Sequence, residues 1–204
     1  RLMSAVWSTL LEQARAWSLW EIVAVILAVA YLLLAIRQNI WCWLCAGLST
    51  AIYVYLFVDA RLYMESALNV FYFAMAVYGW YVWRYSSDDG AELTVTVWPL
   101  QTHVIAVAII TAVAGLNGYL LASYTDAEFP YLDSLTTWAA IWATFLIARK
   151  VLENWAYLLV IDFVSIGIYW VRGLELTALL FVLYVIMIPF GFLSWRRSMR
   201  LSNS

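Results

Sequence analysis

Charge is scarce in this sequence. Only 12% of its 204 residues are Asp, Glu, Lys or Arg, against roughly 25% in a soluble domain. A water-soluble fold of this length needs far more polar surface to cover its outside. Histidine occurs once, at His103, and cysteine twice, at Cys42 and Cys45 in "WCWLCAG". A zinc site takes about four ligands, so this set supplies no metal centre. The cysteines read as two small apolar residues inside a helix. No GxxxxGK[ST] phosphate loop is present, so ATP is not hydrolysed on this chain. The net charge is −2 and no basic run occurs, which excludes a nucleic-acid partner. Nothing in the composition asks for a cofactor.

What is there in abundance is apolar. Hydrophobic residues make up 66% of the chain and mean hydropathy is +0.85. An integral membrane protein is the class this implies. Thirteen Trp and fourteen Tyr suit interfacial belts, but they are too many for belts alone, so some should line the interior. Seven apolar runs have spanning length: Leu19–Ile36, Trp41–Val58, Ser66–Trp83, Val104–Leu121, Ser134–Ala148, Trp155–Val171 and Leu174–Trp195. The fifth is the shortest and should begin earlier, near Tyr131. Most breaks between runs are short, so successive helices are antiparallel neighbours. Residues 1–16, with Trp7, Leu10, Leu11 and Ala14 at helical spacing, read as an interfacial segment.

An ungapped shift of 112 positions lays the first three runs on the last three. Arg37 falls on Arg149 and Trp43 on Trp155. Leu68, Val70, Tyr72, Met75, Gly79 and Trp83 fall on Leu180, Val182, Tyr184, Met187, Gly191 and Trp195. Three is odd, so two copies share an orientation only if an odd number of helices separates them. The expected fold class is therefore an all-α membrane protein of seven transmembrane helices in a 3 + 1 + 3 parallel repeat. Residues 17–85 form the first three-helix bundle, 86–130 a linker carrying the fourth helix, 131–196 the second bundle and 197–204 a cytoplasmic tail. Transporters built from such repeats bind substrate near the midplane between halves. Pro189, two residues before Gly191, offers a hinge in the last helix.

Polar residues inside the runs are the candidates for function, because an ionisable side chain at mid-bilayer costs roughly 2.5–3.5 kcal/mol on insertion scales. Asp162 is the clearest. Helical spacing puts Trp155, Leu158, Asp162, Ser165 and Tyr169 on one stripe, which can form half of a pocket. Asn69 shares a stripe with Phe73, Ala76 and Trp80, beside the repeated stripe that carries Tyr72, Gly79 and Trp83. Asn69 and Trp80 fall on Phe181 and Phe192, so they are additions to the repeat. The competing reading of Asp162 and Asn69 is hydrogen bonding between helices. Glu21, Asp133 and Asn117 lie near span ends, where capping or solvation accounts for them. No dense row of carboxylates suggests a proton relay, and facilitated diffusion is the simplest energetics.

"GWYVW" (Gly79–Trp83), "RKVLENWAYLLVID" (Arg149–Asp162), a Gly after the sixth run and Trp195 at the end of the seventh together resemble the PnuC family of bacterial vitamin-precursor transporters. The likeness runs from about Trp20 to Trp195. It implies a SWEET-like fold, a homotrimer, and passive uptake across the bacterial cytoplasmic membrane with trapping by a cytoplasmic kinase. Family substrates are nicotinamide riboside, thiamine and riboflavin. Where the nicotinamide riboside pattern has Gln, this chain has Asn69, and where it has a second Trp, this chain has Leu158. These departures favour the thiamine branch over nicotinamide riboside, with riboflavin third. The expected substrate contacts are Asn69, Tyr72, Trp80, Trp155, Leu158, Asp162, Ser165, Tyr169 and Tyr184. A polytopic membrane enzyme is the rival class; it would need a convergent catalytic set, which one His and scattered carboxylates do not offer.

Basic residues set orientation. Seven spans place Arg37, Arg84, Arg149, Lys150, Arg196, Arg197 and Arg200 on one side and Arg1, Arg15, Arg61 and Arg172 on the other. The richer side is expected to be cytoplasmic, with the N-terminus outside. A fluorescent protein fused to the C-terminus should glow in bacteria; a dark, fully expressed fusion would reverse the topology.

Overall fold

The computed structural model describes residues 18–59, 63–85, 93–126 and 128–202. The interfacial segment expected over residues 1–16 lies outside them. Seven helices follow in order among the described residues: α1 (Leu19–Ile36), α2 (Trp41–Asp59), α3 (Tyr63–Tyr85), α4 (Leu100–Tyr124), α5 (Pro130–Ala148), α6 (Asn154–Val171) and α7 (Glu175–Ser202). The start of α1 is set by a capping box: the Ser18 side chain accepts from the Glu21 N–H, and the Glu21 carboxylate accepts from the Ser18 N–H. Pro130 opens α5, where a missing N–H costs nothing. That start is four residues before the apolar run. Helix α7 continues beyond Trp195 to Ser202, into the positions expected to be a tail. Its late arginines complement the negative end of a helix dipole, and Ser202 donates to the Met199 carbonyl at 2.9 Å.

Four of these helices, α1, α4, α6 and α7, are long and apolar enough to cross a membrane by themselves. Helix α2 has a shorter apolar stretch, Trp41–Leu56. In helices α3 and α5, several hydroxyls are satisfied by backbone carbonyls. Ser66 donates to the Val54 carbonyl, Ser134 to Pro130, and Thr136 to Leu132 and Asp133. The outer faces expose large apolar residues such as Ile26, Val104, Ile109, Leu116, Phe163 and Phe190, the surface a hydrocarbon solvent requires.

Helix α2 packs between α1 and α3, and α6 between α5 and α7, while α4 lies against α5. Two contacts join these groups, α1 with α7 and α3 with α5. The 112-residue shift exchanges those two contacts. It also reproduces local geometry. The ring of Trp43 lies on Gly79, and the ring of Trp155 on Gly191. Trp43 and Trp83 meet edge to face at 5.5 Å, and Trp155 and Trp195 at 5.4 Å. Trp83 and Trp195 then meet each other at 6.3 Å, closing a four-indole cluster. The Trp83 N–H donates to the Ala148 carbonyl at the end of α5 (3.1 Å), and the Trp195 N–H to Ala35 at the end of α1 (2.9 Å). Trp83, which its position beside Arg84 would place in an interfacial belt, is thus a structural link instead: a helix end buried away from water leaves carbonyls that need donors.

The turns that follow α1 and α5 share one form. Gln38 and Lys150 have φ of 54° and 51°. The Asn39 N–H reaches back to Leu34 and the Val151 N–H to Leu146, each at 2.9 Å, the six-to-one bond of a Schellman cap. The α5–α6 turn has an added support. Part of the expected linker, ahead of α4, is extended, with Thr96 in a parallel bridge to Val151. The Thr96 N–H donates to Lys150 and the Leu152 N–H to Thr96, while Val95 is buried in the core.

A Cβ at Gly79 or Gly191 would overlap the facing indole, whereas Gly167 has open space around it. Gly79→Ala and Gly191→Ala should each cost about 1–3 kcal/mol by overpacking. Gly167→Ala should be neutral or gain up to about 1 kcal/mol from helix propensity. Thermal melts in detergent check the contrast; equal melting points for all three would contradict the indole-on-glycine packing.

Candidate binding site

Among the described residues the apolar core leaves one buried carboxylate to explain. Asp162 sits midway along α6 with only 7% of its surface exposed, and Ser165, one turn on, is equally buried. No hydrogen bond or ion pair reaches the Asp162 carboxylate among the described residues. Its electrostatic neighbour is Tyr184 of α7, which also lies within reach of Tyr53 of α2. Tyr169, two turns beyond Asp162, stacks on Phe181 at 5.2 Å, and Phe181 meets Tyr184 edge-on at 5.6 Å. From the other half, Tyr72 of α3 comes within electrostatic range of Tyr169, and Tyr31 of α1 within range of Tyr72 and Tyr184. Five helices therefore deliver tyrosines to one region between the halves, with a carboxylate on its α6 side.

The stripe read from α6 splits in two. Asp162, Ser165 and Tyr169 belong to this cluster, together with Tyr72 and its repeat mate Tyr184. Asn69 is half-buried one turn before Tyr72 on α3. Leu158 packs against the hydrophobic core. Trp155, buried to 1% exposure, fills the notch at Gly191 and joins the indole cluster, because α6 begins at the packed end of the bundle. Trp80 meets Trp41 edge-on at 5.5 Å at the α2–α3 seam. Tyr31 and Tyr53 escaped the sequence reading, which found no candidate in the first two spans. Their signal was a phenol more than a turn inside an apolar run, deeper than a residue at the run's end.

The "ENW" stretch is explained by the turn it closes. The Asn154 side-chain amide donates to the Val151 carbonyl at 2.6 Å, while the Glu153 carboxylate accepts the backbone N–H of Trp98 at 3.4 Å. His103 of α4 lies beside it, with Nδ1 3.1 Å from the Tyr157 hydroxyl and Nε2 3.9 Å from Glu153. These contacts tie α4 to α6. At the opposite end Arg172 pairs with Asp133 and Glu128 and lies over the Phe129 ring. Asp133 is thus ion-paired, where capping or solvation was expected. No group of three His, Cys, Asp or Glu able to hold a metal occurs among the described residues.

A helical bundle with an apolar exterior and a polar, tyrosine-lined seam between two similar halves defines a multi-pass membrane protein of the transporter class. The chain belongs to the nicotinamide mononucleotide transporter family, whose model matches residues 18–197. It is 28% identical over 172 residues to the nicotinamide riboside transporter PnuC of Escherichia coli K12, covering 71% of each chain. It is 27% identical over 191 residues to the riboflavin/roseoflavin transporter RibM of Streptomyces davaonensis, covering 91% of this chain and 87% of that one. Its fold is similar to the crystal structure of the vitamin B3 transporter PnuC, with a TM-score of 0.73 and 22% identity over 97% of this chain and 92% of that one.

A buried carboxylate without a protein partner destabilises the fold it sits in. Asp162→Asn keeps the shape and removes the charge, so the ligand-free protein should melt at the same or a higher temperature. A stabilisation of about 1–3 kcal/mol is the expected ceiling. A clear loss of stability would instead make Asp162 a structural hydrogen-bonding residue.

Proposed function

We propose that the protein carries a flat, cationic vitamin across the bacterial cytoplasmic membrane by facilitated diffusion. The observation that carries this reading is the buried carboxylate of Asp162, which has no hydrogen bond or ion pair among the described residues and lies beside Tyr184, itself within electrostatic reach of Tyr31 and Tyr53 from the other half. A ring-bearing cation would supply the missing counter-charge and place its flat faces against aromatic rings, each cation–π contact contributing about 0.5–2 kcal/mol. The proposed contacts centre on Tyr72, Asp162, Ser165, Tyr169 and Tyr184, with Tyr31 and Tyr53 added. Asn69 and Leu158, each about one turn from these contacts, tune the site's shape, while Trp80 and Trp155 hold the packing around it.

In this reading seven helices span the membrane as a 3 + 1 + 3 parallel repeat of the SWEET-like kind. The N-terminus lies outside and the arginine-rich end faces the cytoplasm. The halves rock about the central site, which opens alternately to each side. With no phosphate loop, net flux follows the gradient, and a cytoplasmic kinase that phosphorylates the vitamin keeps it inside. The assembly is a homotrimer.

Thiamine is the leading substrate, on the strength of Asn69 and Leu158 standing where the nicotinamide riboside pattern has Gln and Trp. Nicotinamide riboside is the second reading, favoured by the name of the Escherichia coli relative, and it too is a flat cation. Riboflavin is named for the Streptomyces relative, but it is uncharged and makes no use of the carboxylate.

Binding titrations and uptake into protein-only liposomes with thiamine, nicotinamide riboside and riboflavin test the proposal. One of the two cations should bind and be taken up saturably. Asp162→Asn should weaken it about tenfold or more, equivalent to roughly 1.4 kcal/mol. Unchanged affinity in that variant removes Asp162 from the site. The pair Asn69→Gln and Leu158→Trp should move preference toward nicotinamide riboside.

A further inference from the structure

Glu21 and Asp133 are repeat mates with different surroundings. Each lies in the first turn of its helix, Glu21 in α1 and Asp133 in α5. Asp133 is neutralised by Arg172 at the end of α6. Glu21 has no ion pair among the described residues. Its carboxylate accepts the Ser18 N–H of the capping box at 2.5 Å. That bond needs an acceptor and not a charge, because Gln serves the same box. The cap therefore leaves the charge of Glu21 free for another task.

The packing of α1 on α2 sets where that charge sits. The Ser49 hydroxyl donates to the Ala24 carbonyl at 2.8 Å. From this bond, one turn back along α1 reaches Glu21, and one turn on along α2 reaches Tyr53. The two helices are antiparallel, so the carboxylate and the phenol lie level, within electrostatic reach of each other. Tyr53 is in turn within reach of Tyr169 and Tyr184. Tyr184 is the neighbour of Asp162, which is 7% exposed and has no hydrogen bond or ion pair among the described residues. A line of phenols thus joins a half-buried carboxylate at a helix start to a buried one at mid-bundle. The surrounding charge favours a cation. Among the described residues this end of the bundle carries Glu21, Asp59, Asp126, Glu128, Asp133 and Glu175, and its one cation, Arg172, is taken up by Asp133 and Glu128.

We propose that Glu21 is an entrance site for the cation: it collects the ligand at the acidic end of the bundle and passes it by Tyr53 to Asp162. The proposal rests on the transport reading above, in which this end faces outward. The two carboxylates divide the work by depth. Glu21 is partly exposed and already holds an N–H donor, so the fold tolerates it without a ligand. A charge at such a rim steers encounter and sets the association rate. Asp162 is buried without a donor, so it gains most from a bound cation and sets how long the ligand stays. The repeat mate of Glu21 is closed off by Arg172, which leaves the entrance on the first half alone.

Stopped-flow tryptophan fluorescence, with thiamine and with nicotinamide riboside as probes, reads association and dissociation separately. Glu21→Gln keeps the capping acceptor and removes the charge. It should slow association about threefold or more at low salt, leave dissociation within about twofold, and melt close to its parent. Raising the salt should slow the parent and barely change the variant. Glu21→Asp should associate at a rate nearer the parent than Glu21→Gln does. Ser18→Ala weakens the cap but keeps the carboxylate; it should melt lower and associate like the parent. Asp162→Asn should instead speed dissociation. If Glu21→Gln binds at the parent's rate, or if Ser18→Ala slows binding as much, Glu21 is a cap and nothing more. Should Glu21→Gln not fold, a parent association rate indifferent to salt overturns the entrance on its own. A protein that binds neither cation discards the transport reading and the entrance with it, whereas normal binding with unchanged Glu21→Gln rates discards the entrance alone.

Discussion

The bond from each of two tryptophans to the helix end of the opposite half organises this molecule. A helix that stops inside a low-water environment leaves carbonyls without partners. Here Trp83 supplies a donor to the end of α5 and Trp195 a donor to the end of α1. Each indole also packs edge-on against the partner that lies over a glycine, Trp43 over Gly79 and Trp155 over Gly191. Glycine is needed because the ring occupies the volume a Cβ would take. Capping, packing and the joining of the halves are thus one arrangement at one end of the bundle.

Concentrating these links at the arginine-rich end leaves the middle of the seam for polar chemistry. The tyrosines reach it from α1, α2, α3, α6 and α7, and α6 adds the carboxylate. Residues that lower stability without visible structural return are commonly found at functional sites. Asp162 fits that description, buried yet without a hydrogen bond or ion pair among the described residues. Lys150 is the contrasting case: its charge is buried too, but its ammonium donates to Gln38 of the other half.

Much of this was legible in the chain. The seven helices follow the apolar runs, with α1 matching from Leu19 to Ile36 and α5 starting at Pro130, near the early start expected. The repeated glycines and tryptophans also fall where the shift predicts. Boundaries moved where polar residues extend a helix: α7 runs on past Trp195 because arginines are well placed at a helix C-terminus. What misled was the roles of the aromatics. Trp155 shares a stripe with Asp162, yet two turns separate them along α6. That distance is enough to put one in the packed indole cluster and the other in the polar seam. Helical periodicity reports direction around an axis and says nothing of depth along it relative to neighbouring helices.

The sequence by itself determined the class, the helices and their internal echo, because hydropathy, spacing and a 112-residue correspondence are properties of one chain read in order. It also singled out Asp162, since a carboxylate inside an apolar run is costly wherever that run ends up. Only the tertiary structure decided which tyrosines meet that carboxylate, that Trp83 caps α5 and not a membrane surface, and that Lys150 meets Gln38. Those facts depend on which helices touch across the seam. That pairing is set by the summed packing of many side chains from both halves, and no local pattern encodes it.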